Sequence, residues 1–354
     1  MDIENIFIFV LDCLRYDYLP NKIKEMGIVF KGVAPGSQTR FSVPSLVSGV
    51  YPSTHGINKD AQKLVGSTFF DLPFNTAFNS YHGEDLYTGE KSPIRWWIGD
   101  PNISFLEDMS SPFLFYEHNW ELHAYRKESP NDKKSGYIKS YENGISKGID
   151  TFRARIEYLE DKDLLEKTLI VFTSDHGEIL GEYGGIFDHN FPICPEITYI
   201  PIVFIHPVIE PRIINSGIAS LVDIFPTIID LYNLNPRNQF FEGKSLLRGA
   251  KDYSLCEYNY IPKVCSLWSF YGGYVRITDY KYPKIVHILK RLSKNHTQLS
   301  LDPIKYLREI NTYGEISKKK FSDKIDNFLR YVPKNKIKYK LNSIRPSNYE
   351  IIDF

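Results

Sequence analysis

The sequence predicts an α/β fold with a mostly parallel central sheet flanked by helices. Two apolar runs that end in polar residues, with a helix-period segment between them, carry that expectation. Ile6-Phe7-Ile8-Phe9-Val10-Leu11 is a continuous β-rich run closed by Asp12, and Thr168-Leu169-Ile170-Val171-Phe172-Thr173 is a second, closed by Ser174-Asp175-His176-Gly177. Unbroken apolar runs of this length suit strands covered on both faces, as in parallel sheets. Between them, Ile145, Ile149, Phe152 and Ile156 recur at helical spacing.

The remaining elements follow the same alternation. Pro112-Phe113-Leu114-Phe115-Tyr116 and Pro201-Ile202-Val203-Phe204-Ile205 read as two more buried strands. Helices are expected over Pro44 to Val50, Tyr137 to Lys162 and Ser220 to Leu231. After about residue 250 the texture turns to aromatic, strand-like pieces such as Gly273-Tyr274-Val275-Arg276-Ile277 and then to a lysine-rich end. The expected division is a catalytic α/β domain over 1–250 and a small α+β subdomain over 251–354, with antiparallel strands and a basic tail. Positions 284 to 345 hold sixteen Lys/Arg against five Asp/Glu. That stretch reads either as a solvated face or as a surface that draws an anionic partner toward the site.

Composition excludes several classes. Forty-three basic and 43 acidic side chains cancel, which argues against a surface built for nucleic acid. The four cysteines show no paired metal spacing, so neither a disulfide scaffold nor a zinc ribbon is indicated. No run approaches the ~20 apolar residues of a membrane span. The start, Met1-Asp2-Ile3-Glu4-Asn5, lacks the positive charge of a signal peptide. A cytoplasmic protein of unspecified oligomeric state is expected.

Three segments carry chemistry. Asp12 at a strand end suits either a helix cap or a ligand. Asp175 and His176, side by side at another strand end, suit a divalent cation or a cap with a solvent-facing imidazole. Ser42 lies two residues before a proline that can open a helix, which would set its hydroxyl at a helix N-terminus as a nucleophile or as a simple cap.

Taken together, these segments resemble the sulfatase branch of the alkaline phosphatase superfamily, over about residues 5 to 285. The carrying motifs are Asp12-x-x-Arg15-x-Asp17; the segment Ser42-Val43-Pro44-Ser45 continued by Gly49, Pro52 and His55-Gly56; Ser174-Asp175-His176-Gly177-Glu178 with Leu180-Gly181-Glu182; and Ser220 to Thr227 followed by Gly243-Lys244-Ser245-Leu246. Glu257, Val275-Arg276 and Tyr280-Lys281-Tyr282 resemble the family's C-terminal subdomain.

The resemblance implies Asp12, Ser42, Asp175 and His176 around one divalent cation (Ca²⁺, Mg²⁺ or Mn²⁺ in an oxygen-rich shell), with Ser42 as the nucleophile. It implies His123 and His189 as catalytic, substrate-side residues and Arg15 as a substrate-binding cation. The implied activity is hydrolysis of a sulfate or phosphate ester on a glycan or lipid headgroup. The rivals are a phosphotransferase decorating a glycan or lipid, and a catalytically silent relative that binds an anionic glycan.

Two departures bear on this. Cys13 stands where many sulfatases have a second aspartate, which leaves a smaller metal shell or a packing role. Formylglycine at position 42 is the family's modification, but Leu46 occupies the arginine position of its maturation motif. An unmodified serine favours phosphoryl over sulfuryl turnover.

Overall fold

The computed structural model describes residues 3–59, 62–81, 92–124, 133–182, 187–189, 193–234, 240–258 and 264–277. Its centre is a seven-stranded sheet in the order β3-β4-β1-β5-β8-β2-β9. These strands are β1 (Asn5–Leu11), β2 (Gly27–Val33), β3 (Asn75–Tyr81), β4 (Phe113–Asn119), β5 (Thr168–Thr173), β8 (Tyr199–Ile205) and β9 (Arg212–Ser220), while β6 (Ile179–Leu180) and β7 (Phe187–Asp188) pair antiparallel as a separate ribbon. β3, β4, β1 and β5 run parallel, β2 and β9 pair in parallel, and β8 is antiparallel to β5 and β2. The sheet is therefore mostly parallel, as expected.

Period-two alternation sorts β1 into both cores. Ile6, Ile8 and Val10 join one cluster, and Phe7, Phe9 and Leu11 the other. Helix Lys133–Asp161 covers the second face with Tyr141, Ile145, Ile149 and Phe152. Phe152 packs on Phe9 and Phe172, with ring centroids 5.1 and 5.0 Å apart. Each such buried side chain contributes about 1.5–3 kcal/mol. The first face is covered by Thr39–Ser48 (Val43, Leu46, Val47) and Ile224–Leu231 (Ile224, Phe225, Ile228). The result is a three-layer α/β/α architecture.

Two helix starts differ from expectation. The helix expected from Pro44 begins five residues earlier, at Thr39, and Pro44 lies inside it. Its end follows the usual rule, with Gly49 at φ 73° in the left-handed region after Ser48. Ser220 starts a short 3-10 turn that leads into the helix at Ile224, through a capping box with Asp223.

Beyond residue 250 the chain forms a separate three-stranded antiparallel sheet, β10 (Tyr253–Tyr258), β11 (Val264–Ser269) and β12 (Gly273–Ile277). It is tied to the segment that feeds helix Thr39–Ser48, since Glu257 N–H donates to the Pro35 carbonyl at 2.8 Å. Tyr280-Lys281-Tyr282 and the lysine-rich end lie outside the described residues. No helix among the described residues is long and apolar enough to cross a membrane. Cys13, Cys194 and Cys256 are free and buried.

Candidate active site

Because β4, β1 and β5 are parallel neighbours, their C-terminal ends open at one edge of the sheet. Ligands bind at this edge in open α/β sheets. It holds His118 near the end of β4, Asp12 after β1, and Asp175 and His176 after β5. Residues 163 positions apart in sequence thereby share one buried cluster. Asp12, His118, Asp175 and His176 are all 0% exposed.

Asp12 is the hub. His118 Nε2 lies 2.9 Å from its Oδ2 and His123 Nε2 lies 2.9 Å from its Oδ1. The Tyr116 hydroxyl sits 2.9 Å from His118 Nδ1, which leaves Nε2 to donate to Asp12. Burial alone pushes the Asp12 carboxyl up. The positive charge of His123 and hydrogen bonds from both histidines outweigh it, and the carboxyl lies well below the usual range.

Asp175 is held through one oxygen only. Its Oδ1 accepts from the backbone N–H of Cys13 (3.2 Å) and of His176 (2.9 Å). Its Oδ2 is buried and accepts no hydrogen bond from the described residues. A buried carboxylate oxygen with no donor is costly unless something positive faces it. His176 donates from Nδ1 to the Gly177 carbonyl at 2.9 Å and so turns the lone pair of Nε2 into the cluster, 3.3 Å from Asp175 Oδ2. Asp12, Asp175 and His176 offer ligand atoms that all lie within 4.8 Å of one another. This donor set fits a divalent cation.

The loop depends on Gly177 for space. A Cβ there would run into the Glu196 carbonyl, and the Gly177 N–H donates to the Ile197 carbonyl at 2.7 Å. A close backbone approach, rather than a positive φ, is what requires glycine.

The hydroxyl at the cluster belongs to Thr39. Its Oγ1 lies 3.3 Å from Asp12 Oδ2 and 3.3 Å from His176 Nε2, at the first residue of its helix, where the macrodipole favours an anion. Ser42 is one turn further along and is not brought to the cluster. Its hydroxyl donates to the Gly36 carbonyl at 2.8 Å and accepts from the Gly36 N–H at 3.1 Å. The expected register was wrong because Pro44, read as the helix opener, is an interior residue.

The structure brings His123 and His189 to the cluster, their rings 5.3 Å apart, with His189 4.5 Å from the His176 ring. His189 Nδ1 is 2.9 Å from Glu178 Oε2. The side chain of His123 is 22% exposed while that of Asp12 is 0% exposed, so His123 marks the solvent side. Arg15 is not directed at the cluster. Its guanidinium is taken up by Asp17 (2.6 Å), Glu182 (2.7 Å) and the Glu178 carbonyl, which fits a structural role better than anion binding.

Cys13 also faces the cluster, with Sγ 2.9 Å from Asp12 Oδ1 and 3.7 Å from His189 Nδ1. Thr39 and His118 were missed from sequence. The expected set of Asp12, Ser42, Asp175 and His176 was oxygen-rich with one imidazole, and the groups gathered here add further imidazoles and a thiol while lacking the Ser42 hydroxyl.

The family model described as Sulfatase matches residues 100–234. The chain is 35% identical over 244 residues to the low-salt glycan biosynthesis sulfotransferase Agl7 of Haloferax volcanii, covering 64% of this chain and 60% of that protein. It thus spans less than two thirds of that relative. Its fold resembles a 2-O GAG sulfatase, with TM-score 0.64 and 14% identity over 97% of this chain and 94% of the other. It also resembles the phosphonate monoester hydrolase of Agrobacterium radiobacter, with TM-score 0.63 and 14% identity over 88% of this chain and 94% of the other. The Sulfatase model thus matches residues 100–234 of this chain, and the fold is the one shared by the sulfatase and phosphonate monoester hydrolase structures.

Proposed function

We propose that this chain transfers the sulfuryl or phosphoryl group of an anionic ester through the hydroxyl of Thr39, with a divalent cation held by Asp12, Asp175 and His176. The observation that carries the reading is the position of Thr39 Oγ1, 3.3 Å from both Asp12 Oδ2 and His176 Nε2. A cation bound there supplies charge neutralisation for the ester oxygens and lowers the pKa of the attacking hydroxyl.

In the proposed step the bond from Thr39 Oγ1 to phosphorus or sulfur forms as the bridging ester bond breaks. The threonyl proton leaves to solvent water, and the departing alcohol takes a proton from the His123–His189 side. Water or an acceptor alcohol then attacks the transferred group. Thr39 recovers a proton from solvent water, and the proton of the acceptor restores the histidine.

Threonine decides the exit. Its Cβ carries a methyl group, so oxidation at that carbon would give a ketone and never the aldehyde of formylglycine. Without a second hydroxyl on Cβ, the covalent ester has no internal route for expelling its anion and must be resolved by attack on phosphorus or sulfur. That requirement favours phosphoryl chemistry, or transfer of either group to a positioned acceptor.

Transfer to a glycan is the second reading, and the sulfotransferase name of the 35%-identical relative favours it. Turnover of paired sulfate and phosphate esters with and without a glycan acceptor separates the two. Free inorganic anion as the main product supports hydrolysis. A modified glycan with little free anion supports transfer, and neither product from any ester with any divalent cation would contradict both.

A further inference from the structure

We propose that Cys13 is a direct ligand of the cation and makes this centre select a borderline or soft divalent metal, such as Zn²⁺ or Co²⁺, over Ca²⁺ or Mg²⁺. The proposal rests on the reading above that the cluster holds a cation. Cys13 Sγ falls within 4.8 Å of ligand atoms of Asp12 and His123, and likewise of His176 and His189. It is 0% exposed, and its thiol meets the cluster at Asp12 Oδ1, 2.9 Å away. The buried Asp175 Oδ2, which accepts no hydrogen bond among the described residues, belongs to the adjoining Asp12–Asp175–His176 group, which shares Asp12 and His176 with the groups of Cys13, and it independently calls for positive charge there.

The backbone is built to aim this side chain. Cys13 adopts φ 64°, a conformation uncommon for a residue with a Cβ. The Tyr141 hydroxyl donates to the Cys13 carbonyl at 2.7 Å, its own N–H donates to Asp175 Oδ1 at 3.2 Å, and Leu14 N–H donates to Ser174 Oγ at 2.8 Å. These bonds over-determine the turn, as strained functional positions require.

The chemistry of the donors sets the preference. Thiolate and imidazole suit Zn²⁺ and Co²⁺, whereas Ca²⁺ and Mg²⁺ take carboxylate, carbonyl and water oxygens. On binding, the Cys13 thiol loses its proton to solvent as the sulfur–metal bond forms, and no redox change occurs.

The test uses the full chain stripped with a chelator and reloaded with Co²⁺, with no substrate present. The expected result is a near-ultraviolet thiolate-to-cobalt charge-transfer band, absent from Cys13→Ser and Cys13→Asp. The aspartate variant tolerates the left-handed backbone and returns an oxygen donor, so its Zn²⁺-over-Ca²⁺ preference should fall by more than about tenfold. Stoichiometric Co²⁺ without the band, or an unchanged preference in a folded Cys13→Asp protein, would overturn the assignment. A protein that shows the band yet turns over no ester would instead remove the functional reading and leave Cys13 as a ligand.

Discussion

Thr39 Oγ1 lies 3.3 Å from Asp12 Oδ2, while Ser42, one helical turn away, closes its hydroxyl on the backbone of Gly36. The two hydroxyls of one helix therefore have separate duties. Thr39→Val, which keeps the shape and removes the hydroxyl, should lower turnover by at least about 10³-fold while leaving the unfolding midpoint nearly unchanged. Ser42→Ala should do the reverse. It leaves the Gly36 N–H and carbonyl without partners at a cost of about 1–3 kcal/mol, with turnover kept within a few-fold. Steady-state kinetics and denaturant unfolding of the two variants check this, and a dead Ser42→Ala enzyme with an active Thr39→Val enzyme would reverse the assignment.

Cation binding should be legible as stability. A metal that binds only the folded chain adds about 2.7 kcal/mol at a concentration 100 times its dissociation constant. Adding divalent cation to chelator-treated protein should raise the melting temperature. Asp175→Asn should abolish that rise, because an amide in place of Oδ2 supplies no charge to the cation.

Gly177→Ala should be severely destabilising for so small a change. The added methyl meets the Glu196 carbonyl, so the loop that carries Asp175 and His176 has to shift. A loss of roughly 1–3 kcal/mol, with weakened cation binding, is expected in urea titration. An unaffected variant would show that this approach is looser than described.

His55 gives a pH signature remote from the chemistry. Its Nε2 donates to the Phe41 carbonyl at 3.1 Å, and its Nδ1 accepts from the Ile57 N–H at 3.1 Å, so only the neutral ring fits. Burial pushes its pKa down from 6.5 to about 4. The unfolded chain therefore takes up the proton first, and stability rises with pH. The contribution is complete above about pH 6.5 and is lost as pH falls toward about 4. Unfolding free energies should drop across that window in the native protein and drop less in His55→Gln.

Much of this was readable from sequence because buried parallel strands announce themselves. The runs at β1, β4, β5 and β8 needed only unbroken apolar length, and the polar residues at the ends of β1 and β5 then pointed to the ligand edge. Asp12, Asp175 and His176 were placed at that edge this way, whereas His123 and His189 came only from the family resemblance. The strands Gly27–Val33 and Arg212–Ser220 were missed because lysine, glycine, asparagine and serine interrupt them.

Thr39 was missed for a different reason. Gln38 precedes the helix without a side-chain cap, so no start signal stands there, whereas Pro44 imitates one five residues too late. His118 lies inside an apolar strand, and only the pairing of β4 beside β1 turns it onto Asp12. Arg15 carried the right charge, but Asp17 and Glu182 had already claimed it.

The most direct measurement is high-resolution mass spectrometry of the peptide spanning residues 38–46, from protein quenched during turnover of sulfate and phosphate esters. A phosphoryl or sulfuryl adduct on an otherwise unmodified Thr39 is the expected result. An adduct or an aldehyde at Ser42, with Thr39 untouched, would contradict it.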